Sequence, residues 1–382
     1  MRLAYLANIR LPTEKAHGLQ IMKTCEALAR QGVEVELIVP CRLNRLKDDP
    51  FAFYGVEKNF KITKVWCLDL ISLKIFGKLG FWIESWTFYQ SAKRYLPSPL
   101  EGGKHAVYYT RDLPIAYWLS KKVSPVYYEI HTLPDKVSSK HKEAWERCKG
   151  LVVISNGLRA GLLRWGIEDK KITIARDAVD PKQLEIFESK EECRKRLGLP
   201  EHKKIVLYTG HLYEWKGAGI VAESSRDLPE DTEVYLVGGT VEDVKRFRRD
   251  YNFPNLHIVG WQKHQLMPYW HKAADVLVVP TSAKTKIGGL YTSPLKVFEY
   301  MLAERLIVAA DIPSIREILD ESTAVFFVPD DPYSLAQVLK EKVLSSSLEM
   351  GEKARRAYEL VLQKYTWDKR AEVIKNFISS HE

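Results

Sequence analysis

A two-domain α/β chain with one parallel sheet per domain is what three features of the sequence predict. Short β-rich apolar runs alternate with helical patterns, which implies βαβ units. The alternation restarts in the second half of the chain. The length, 382 residues, exceeds what one ordinary core holds and suits two domains.

In the first half, strands are expected at RLAYLA, EVELIVP, AVYYT, VYYEI, LVVIS and KITIA. The amphipathic stretch GLQIMKTCEALARQG between the first two fits a helix closed by Gly32. In the second half, strands are expected at KIVLYTG, EVYLVGG, LHIVG, DVLVVP, LIVAA and TAVFFV. Between the halves lies PKQLEIFESKEECRKRLGLPEHKK, polar, charged and bounded by proline, which reads as a connector. The expected domains are therefore residues 1–182 and 203–365, with a linker at 183–202. Two such Rossmann-like halves leave a cleft where the C-terminal ends of both sheets face each other, and ligands of open α/β sheets bind at strand ends.

Near the end of the second half, YTSPLKVFEYM places Lys296 and Glu299 three apart in an apolar run. Ser293 is suited to N-cap a helix whose first residue is Pro294. Lys296 and Glu299 then share one side of its first turns. They form either a surface ion pair or the wall of an anion site at a helix N-terminus.

Composition narrows the function. Hydrophobic content of 46% with 28% charged residues is that of a soluble globular protein. The start, MRLAYLANIRLP, lacks the apolar core of a signal peptide, and no window reaches the roughly 18 uncharged apolar residues of a membrane helix. The five cysteines form no C-x-x-C pair and read as free thiols in a reducing cytoplasm. The formal charge of +9 favours anionic partners: phosphorylated substrates, acidic lipid surfaces or nucleic acid. Against nucleic acid stand the dispersed basic residues and the lack of a zinc, RRM, KH or helix-turn-helix signature. Against a nicotinamide dehydrogenase stands the lack of G-x-G-x-x-G in LANIRLPTEKAHG and LVGGTVED.

Taken in order, LPTEKAHGLQIMKTCEALARQGVEVELIVP, VISNGLRAGL, IARDAVD, YTGHLYEWKG, VGWQKHQLMPYWHKAADVLVVPT, SPLKVFEYMLAERLIVAADIPSIREIL and YTWDKRAEVI resemble the GT-B glycosyltransferases, most closely the retaining glycosyltransferase family 4. The resemblance runs nearly end to end. It implies a nucleotide-diphosphate sugar on the C-terminal domain and a saccharide or lipid-linked acceptor on the N-terminal domain. It further implies transfer with retention, no metal or other cofactor, and a C-terminal segment, 366–382, that crosses back to the first domain. Rival readings of the same fold are a sugar-nucleotide 2-epimerase, which needs no acceptor, and a non-catalytic sugar-nucleotide-binding protein.

Breaking a glycosyl–diphosphate bond builds negative charge on the leaving group, so fixed cations and N–H dipoles must meet it. The resemblance gives Lys216 the phosphate role, with Gly18, His211, Ser293, Leu295 and Lys296 beside it. It gives Glu299 the ribose hydroxyls and Trp261 with Gln262 the nucleobase. His131, at the end of VYYEI, would lie near the donor sugar and the acceptor. The catalytic set is then His131, Lys216 and Glu299. Two departures stand out. The family's first signature glutamate is Tyr291 here, and its usual arginine is His211, a residue largely neutral at pH 7. His17, Arg111 and Asp112 are expected at the donor sugar or acceptor, the last two alternatively as a local ion pair. Asp177, in IARDAVD, is assigned to a structural loop.

The stretch ISLKIFGKLGFWIESWTFYQSAKRYL, residues 71–96, is rich in aromatics and flanked or interrupted by Lys74, Lys78, Lys93 and Arg94. It is read as a core helix pair. The other reading is an interfacial helix that docks the enzyme peripherally on an anionic membrane, on the inner face of the cell membrane.

Overall fold

A computed structural model describes residues 1–70, 77–98, 100–101, 104–343 and 348–381. They divide into two compact units, Met1–Asp177 with Trp367–Glu382, and Ala178–Thr366.

The first unit holds β1 (Arg2–Leu6), β2 (Glu34–Cys41), β3 (Lys61–Trp66), β4 (Leu100–Glu101), β5 (Lys104–Thr110), β6 (Val126–Ile130), β7 (Gly150–Val153) and β8 (Ile172–Ile174). Its sheet runs β3-β2-β1-β5-β6-β7-β8, all parallel, with the short β4 antiparallel on β5. The inner strands are continuous apolar runs because helices cover both faces of a parallel sheet. Leu3, Leu6, Val107, Tyr127 and Val152 are all fully buried. The sequence does not announce β3, KITKVW. It is an edge strand, most of its side chains reach solvent, and Lys61 and Lys64 stand where an inner strand would carry apolar residues. The helix Ala16–Arg30 follows β1, and the chain leaves it through Gly32 at φ +80°, a conformation that favours glycine.

The second unit holds β9 (Lys204–Thr209), β10 (Thr232–Val237), β11 (Leu256–Gly260), β12 (Val276–Val279), β13 (Leu306–Ala310) and β14 (Val325–Phe327). The order is β11-β10-β9-β12-β13-β14, all parallel. Val206, Leu207, Val278, Ile307 and Val308 form the middle of its core, each fully buried. In both sheets the strand order reverses beside the first strand, between β1 and β5 and between β9 and β12. Open α/β sheets bind ligands at such switch points, outside the C-terminal strand ends. These are the fold's two candidate sites.

Residues 183–202 are more than a loose connector. They include the helix Lys190–Leu197, started by a reciprocal Ser189–Glu192 capping box and ended by Gly198 at φ +66°. Arg194 of this helix is buried, donating Nε to the Ala273 carbonyl at 2.9 Å and NH2 to Asp275 Oδ2 at 2.7 Å, which ties the segment to the second unit. The helix Trp367–Ser379 packs on the first unit, where Phe377 meets Tyr127 edge-on at 5.9 Å.

Of the aromatic stretch, residues 71–76 lie outside the described residues. The rest holds the helix Gly77–Ala92 followed by a 3₁₀ turn, Lys93–Tyr95. Phe88 and Tyr89 are buried, and Tyr89 stacks on Trp118. Leu79 and Trp86 are exposed, at 66% and 50%. Among the described residues no helix is long and apolar enough to cross a membrane.

Gly217, at φ +75°, opens the helix after β9, and a Cβ there would stand 1.8 Å from the Pro280 carbonyl oxygen. Gly217→Ala should therefore destabilise the second unit by about 1–3 kcal/mol from backbone strain alone, more with the clash, read as a lower Tm.

Candidate functional site

In the second unit the loop after β9 turns at Gly210, φ +130°, and runs through a short 3₁₀ turn, Glu214–Lys216. Across the switch point, the loop after β12 ends in the turn Ile287–Tyr291 and the helix Leu295–Leu302. The helix begins at Leu295 with Pro294 in the cap position, one residue later than the sequence suggests. Ser293 is buried in the approach to the helix.

Lys296, in the first turn, is the unusual residue. It is 8% exposed, its Nζ sits 3.8 Å from the centre of the Tyr208 ring, and it has no hydrogen-bond partner among the described residues. The i,i+3 ion pair with Glu299 does not form. Glu299 Oε1 instead faces His264 Nε2 at 3.5 Å. Glycine at 210 leaves the ammonium its space, since a Cβ there would lie 3.4 Å from Nζ. Burial first, and then the like charge of Lys216, push the Lys296 ammonium well below its ordinary pKa, with Glu299 only partly opposing. Burial lowers Lys216 as well. Burial works against the Glu299 charge, yet His264, His271 and Lys296 more than offset it and hold the carboxyl below its usual range.

The other expected residues of this unit are placed as follows. His211 stacks on Tyr213, ring centres 4.8 Å apart and planes nearly parallel. Tyr291 is buried in its turn. Trp261, 63% exposed, and Gln262 line a cavity of about 600 Å³ with Arg196, Lys263, Gln265, Leu266 and Tyr269. Glu299 lines a different cavity, of about 250 Å³, with His271 and Tyr358. Sequence reasoning missed Tyr208, His264 and His271. Tyr208 reads as one more strand residue, and the histidines approach Glu299 from elements distant in sequence.

In the first unit, His131 lies beyond the end of β6, and its Nε2 is 2.7 Å from Glu129 Oε1. His17 stands at the start of the helix Ala16–Arg30; burial, Arg111, Lys15, His131 and Arg42 bring its pKa down to about 4. Arg111 and Asp112 do not pair with each other. Arg111 NH1 donates to Gln20 Oε1 at 2.8 Å, and Asp112 Oδ2 accepts the Asn8 N–H at 2.6 Å. Gly18 is occupied territory: a Cβ there would stand 2.1 Å from the Tyr54 hydroxyl, and its N–H bonds the Lys15 carbonyl at 3.0 Å. Asp177 is buried, and burial raises its carboxyl to about 7 despite Arg370. His17, Arg111 and His131 therefore gather at one strand end of the first unit, and Lys216, Lys296 and Glu299 at one strand end of the second.

A buried ammonium with a depressed pKa binds fewer protons folded than unfolded, so stability should rise with pH between its folded and its ordinary value. Lys296→Met should raise the Tm of the protein without ligand, by about 2–4 °C per kcal/mol gained, and flatten that pH dependence. Thermal melts across pH on the two proteins read both effects.

Residues 203–343 match the family described as Glycosyl transferases group 1. Among similar proteins, the uncharacterized glycosyltransferase MJ1607 of Methanocaldococcus jannaschii is 23% identical over 234 residues, 59% of this chain and 58% of that one. The D-inositol 3-phosphate glycosyltransferase of Xylanimonas cellulosilytica is 25% identical over 154 residues, 38% of this chain and 35% of that one. These alignments thus leave a large part of each relative unspanned. Among solved structures, Anabaena Alr3699/HepE in complex with UDP-glucose superposes over the full length of both chains with a TM-score of 0.75 at 14% identity, a likeness of fold. Lys216 and Lys296 both fall inside the matched span, and the chain has the two-domain GT-B fold.

Proposed function

We propose that the chain transfers a sugar from a nucleoside-diphosphate donor bound on the second unit to a saccharide or lipid-linked acceptor bound on the first. The transfer retains the anomeric configuration, and protein cations rather than a metal meet the departing diphosphate. One observation carries the reading: Lys296 holds a buried ammonium without an acceptor at a sheet switch point, next to Lys216. An uncompensated buried cation is destabilising, so its persistence at a ligand-binding strand end is best explained by an anion that binds there. Lys216 and Lys296 supply the charge, the N–H groups at Leu295 add dipoles, and Glu299 accepts from the ribose. Trp261 offers a ring face to the nucleobase. Tyr291 cannot make a carboxylate contact to the donor sugar, so that contact falls to other groups. Because the HepE neighbour binds UDP and UDP-glucose, uridine donors are the first to try.

A thermal-shift panel of UDP-, GDP-, ADP- and TDP-sugars should show one class raising the Tm by mass action. Lys216→Ala and Glu299→Ala should each abolish that shift and the transfer while leaving a folded protein. Sugar release that needs an acceptor separates transfer from 2-epimerisation, and binding without turnover marks the non-catalytic alternative. Diphosphate beside Lys296 should also oppose the burial that lowers its pKa, so that the ammonium holds its proton more tightly in the complex. Binding then takes up protons and weakens as pH rises, which calorimetry in buffers of different ionisation enthalpy measures directly. Equal heats in all buffers would count against Lys296 as the phosphate contact.

An acceptor carried on a lipid agrees with the exposed apolar residues of the first unit. Leu43, Trp66, Leu68, Leu79 and Trp86 are all exposed, and the Leu68 N–H bonds Thr87 Oγ1 at 3.0 Å, which joins β3's exit to the helix that carries Trp86. Arg45, Lys47, Lys93 and Arg94 are exposed as well. Cosedimentation with anionic vesicles should be salt-sensitive and weakened by Trp86→Ser. Wild-type binding by that variant would remove the membrane from the reading.

A further inference from the structure

Glu129 is the most heavily bonded carboxylate in the first unit, and the function proposed above leaves it without a role. It is fully buried in β6. Its Oε1 accepts from Gln20 Nε2 at 2.6 Å, Arg370 NH2 at 2.6 Å and His131 Nε2 at 2.7 Å, and its Oε2 accepts from the Tyr109 hydroxyl at 2.5 Å. Burial alone would protonate it, but Arg370, His131 and Arg111 hold the carboxyl far below its usual range. An ionised carboxylate can only accept, so the hydrogen of the His131 ring must sit on Nε2.

The other ring nitrogen, Nδ1, then carries a lone pair. It makes no hydrogen bond among the described residues and is not enclosed, on a side chain 20% exposed. Burial, and then Arg111, keep the imidazole neutral down to about pH 4, the Glu129 carboxylate opposing them. The ring is thus fixed in one tautomer and one orientation, as an acceptor.

The carboxylate is itself held from three directions. Gln20 comes from the helix Ala16–Arg30, and its amide is oriented by Arg111 NH1 on Oε1 at 2.8 Å. Tyr109 comes from β5. Arg370 comes from the helix Trp367–Ser379, is buried, and also bonds Thr24 Oγ1 at 2.9 Å. A network with this many fixed members over-determines the position of one oxygen, and a histidine two residues further on depends on that oxygen.

We infer that Glu129, clamped by Arg370 and Gln20, is a positioning residue that sets the His131 tautomer, so that Nδ1 accepts a hydrogen bond from a hydroxyl of the bound carbohydrate. The inference rests on the glycosyltransferase reading for its ligand, but not for its geometry. A merely structural network would tie the C-terminal helix to the sheet and be indifferent to where the imidazole hydrogen lies.

Two measurements separate these. In the ¹³C,¹⁵N-histidine-labelled full chain, assigned with His131→Ala, the ring should be the Nε2–H tautomer at neutral pH. The Nδ1–H tautomer, or a mixture of the two, overturns the inference. This readout needs no donor or acceptor, so it stands even if no sugar transfer is found. In a transfer assay, Glu129→Gln should lower kcat by about 10- to 100-fold, the range seen when a ligand histidine loses its orienting partner, with the donor KM unchanged. A folded Glu129→Gln protein with wild-type kcat overturns the positioning role. Should that variant fail to fold, the tautomer of the wild-type ring decides alone.

Discussion

A single enclosed charge constrains the second unit more than any other group. The Lys296 ammonium lies over the Tyr208 ring with no oxygen to receive its hydrogens and another lysine close by. An aromatic face offers some attraction to a cation, of order 0.5–2 kcal/mol, but far less than water does. Everything around it accommodates this group. Gly210 withholds a side chain, Tyr208 supplies a flat wall and donates its own hydroxyl away, to the His211 carbonyl at 2.6 Å. Glu299 is drawn to His264 instead. Among the described residues no hydrogen-bond acceptor meets the Lys296 ammonium.

The first unit follows the opposite logic. Three of its buried carboxylates are met by donors: Glu129 by four, Asp112 by the Asn8 N–H, and Glu26 by Lys23, Arg30 and the Glu57 N–H. The cations there already have work inside the fold, so that end of the sheet can orient a neutral hydroxylated molecule without calling for a counter-charge. Two units of the same architecture thereby differ in electrostatics: the buried Glu129 of the first is met by four donors, and the buried Lys296 of the second by no acceptor among the described residues. That division suits a donor that carries a diphosphate and an acceptor recognised by its hydroxyls.

Much of this was legible in the sequence. Inner strands such as LIVAA and KIVLYT announce themselves because both faces are covered, and the order of the loops places Lys216 and Glu299 after strands of the same sheet. The edge strand β3 was not, since exposure erases the apolar run by which a strand is recognised. The segment 183–202 reads as a connector because it is charged, and Arg194, which anchors it by hydrogen bonds, is itself a charged residue. Gly18 invites a ligand-approach reading, whereas the space belongs to Tyr54, 36 positions on, which no local pattern reveals. Glu129 and His131 could have been paired from sequence alone, since residues two apart in a strand point to the same side. Arg370, 241 residues from Glu129, could not.

The two departures from the family's motif also acquire a physical meaning. The resemblance expects a glutamate at 291 and an arginine at 211. The residues present are both packed: Tyr291 is buried in its turn, and His211 is stacked on Tyr213. Neither substitution leaves a hole, so neither reads as decay. What changes is where the positive charge originates. With His211 stacked on Tyr213, the loop after β9 keeps one lysine, and the second cation comes instead from the helix after β12. Those two elements flank the same switch point, so the charge crosses it without leaving the site. Burial opposes the charge on Lys296, as it would not on an arginine in an exposed loop. The altered motif therefore exchanges a cation of fixed charge for one whose charge a bound anion would favour.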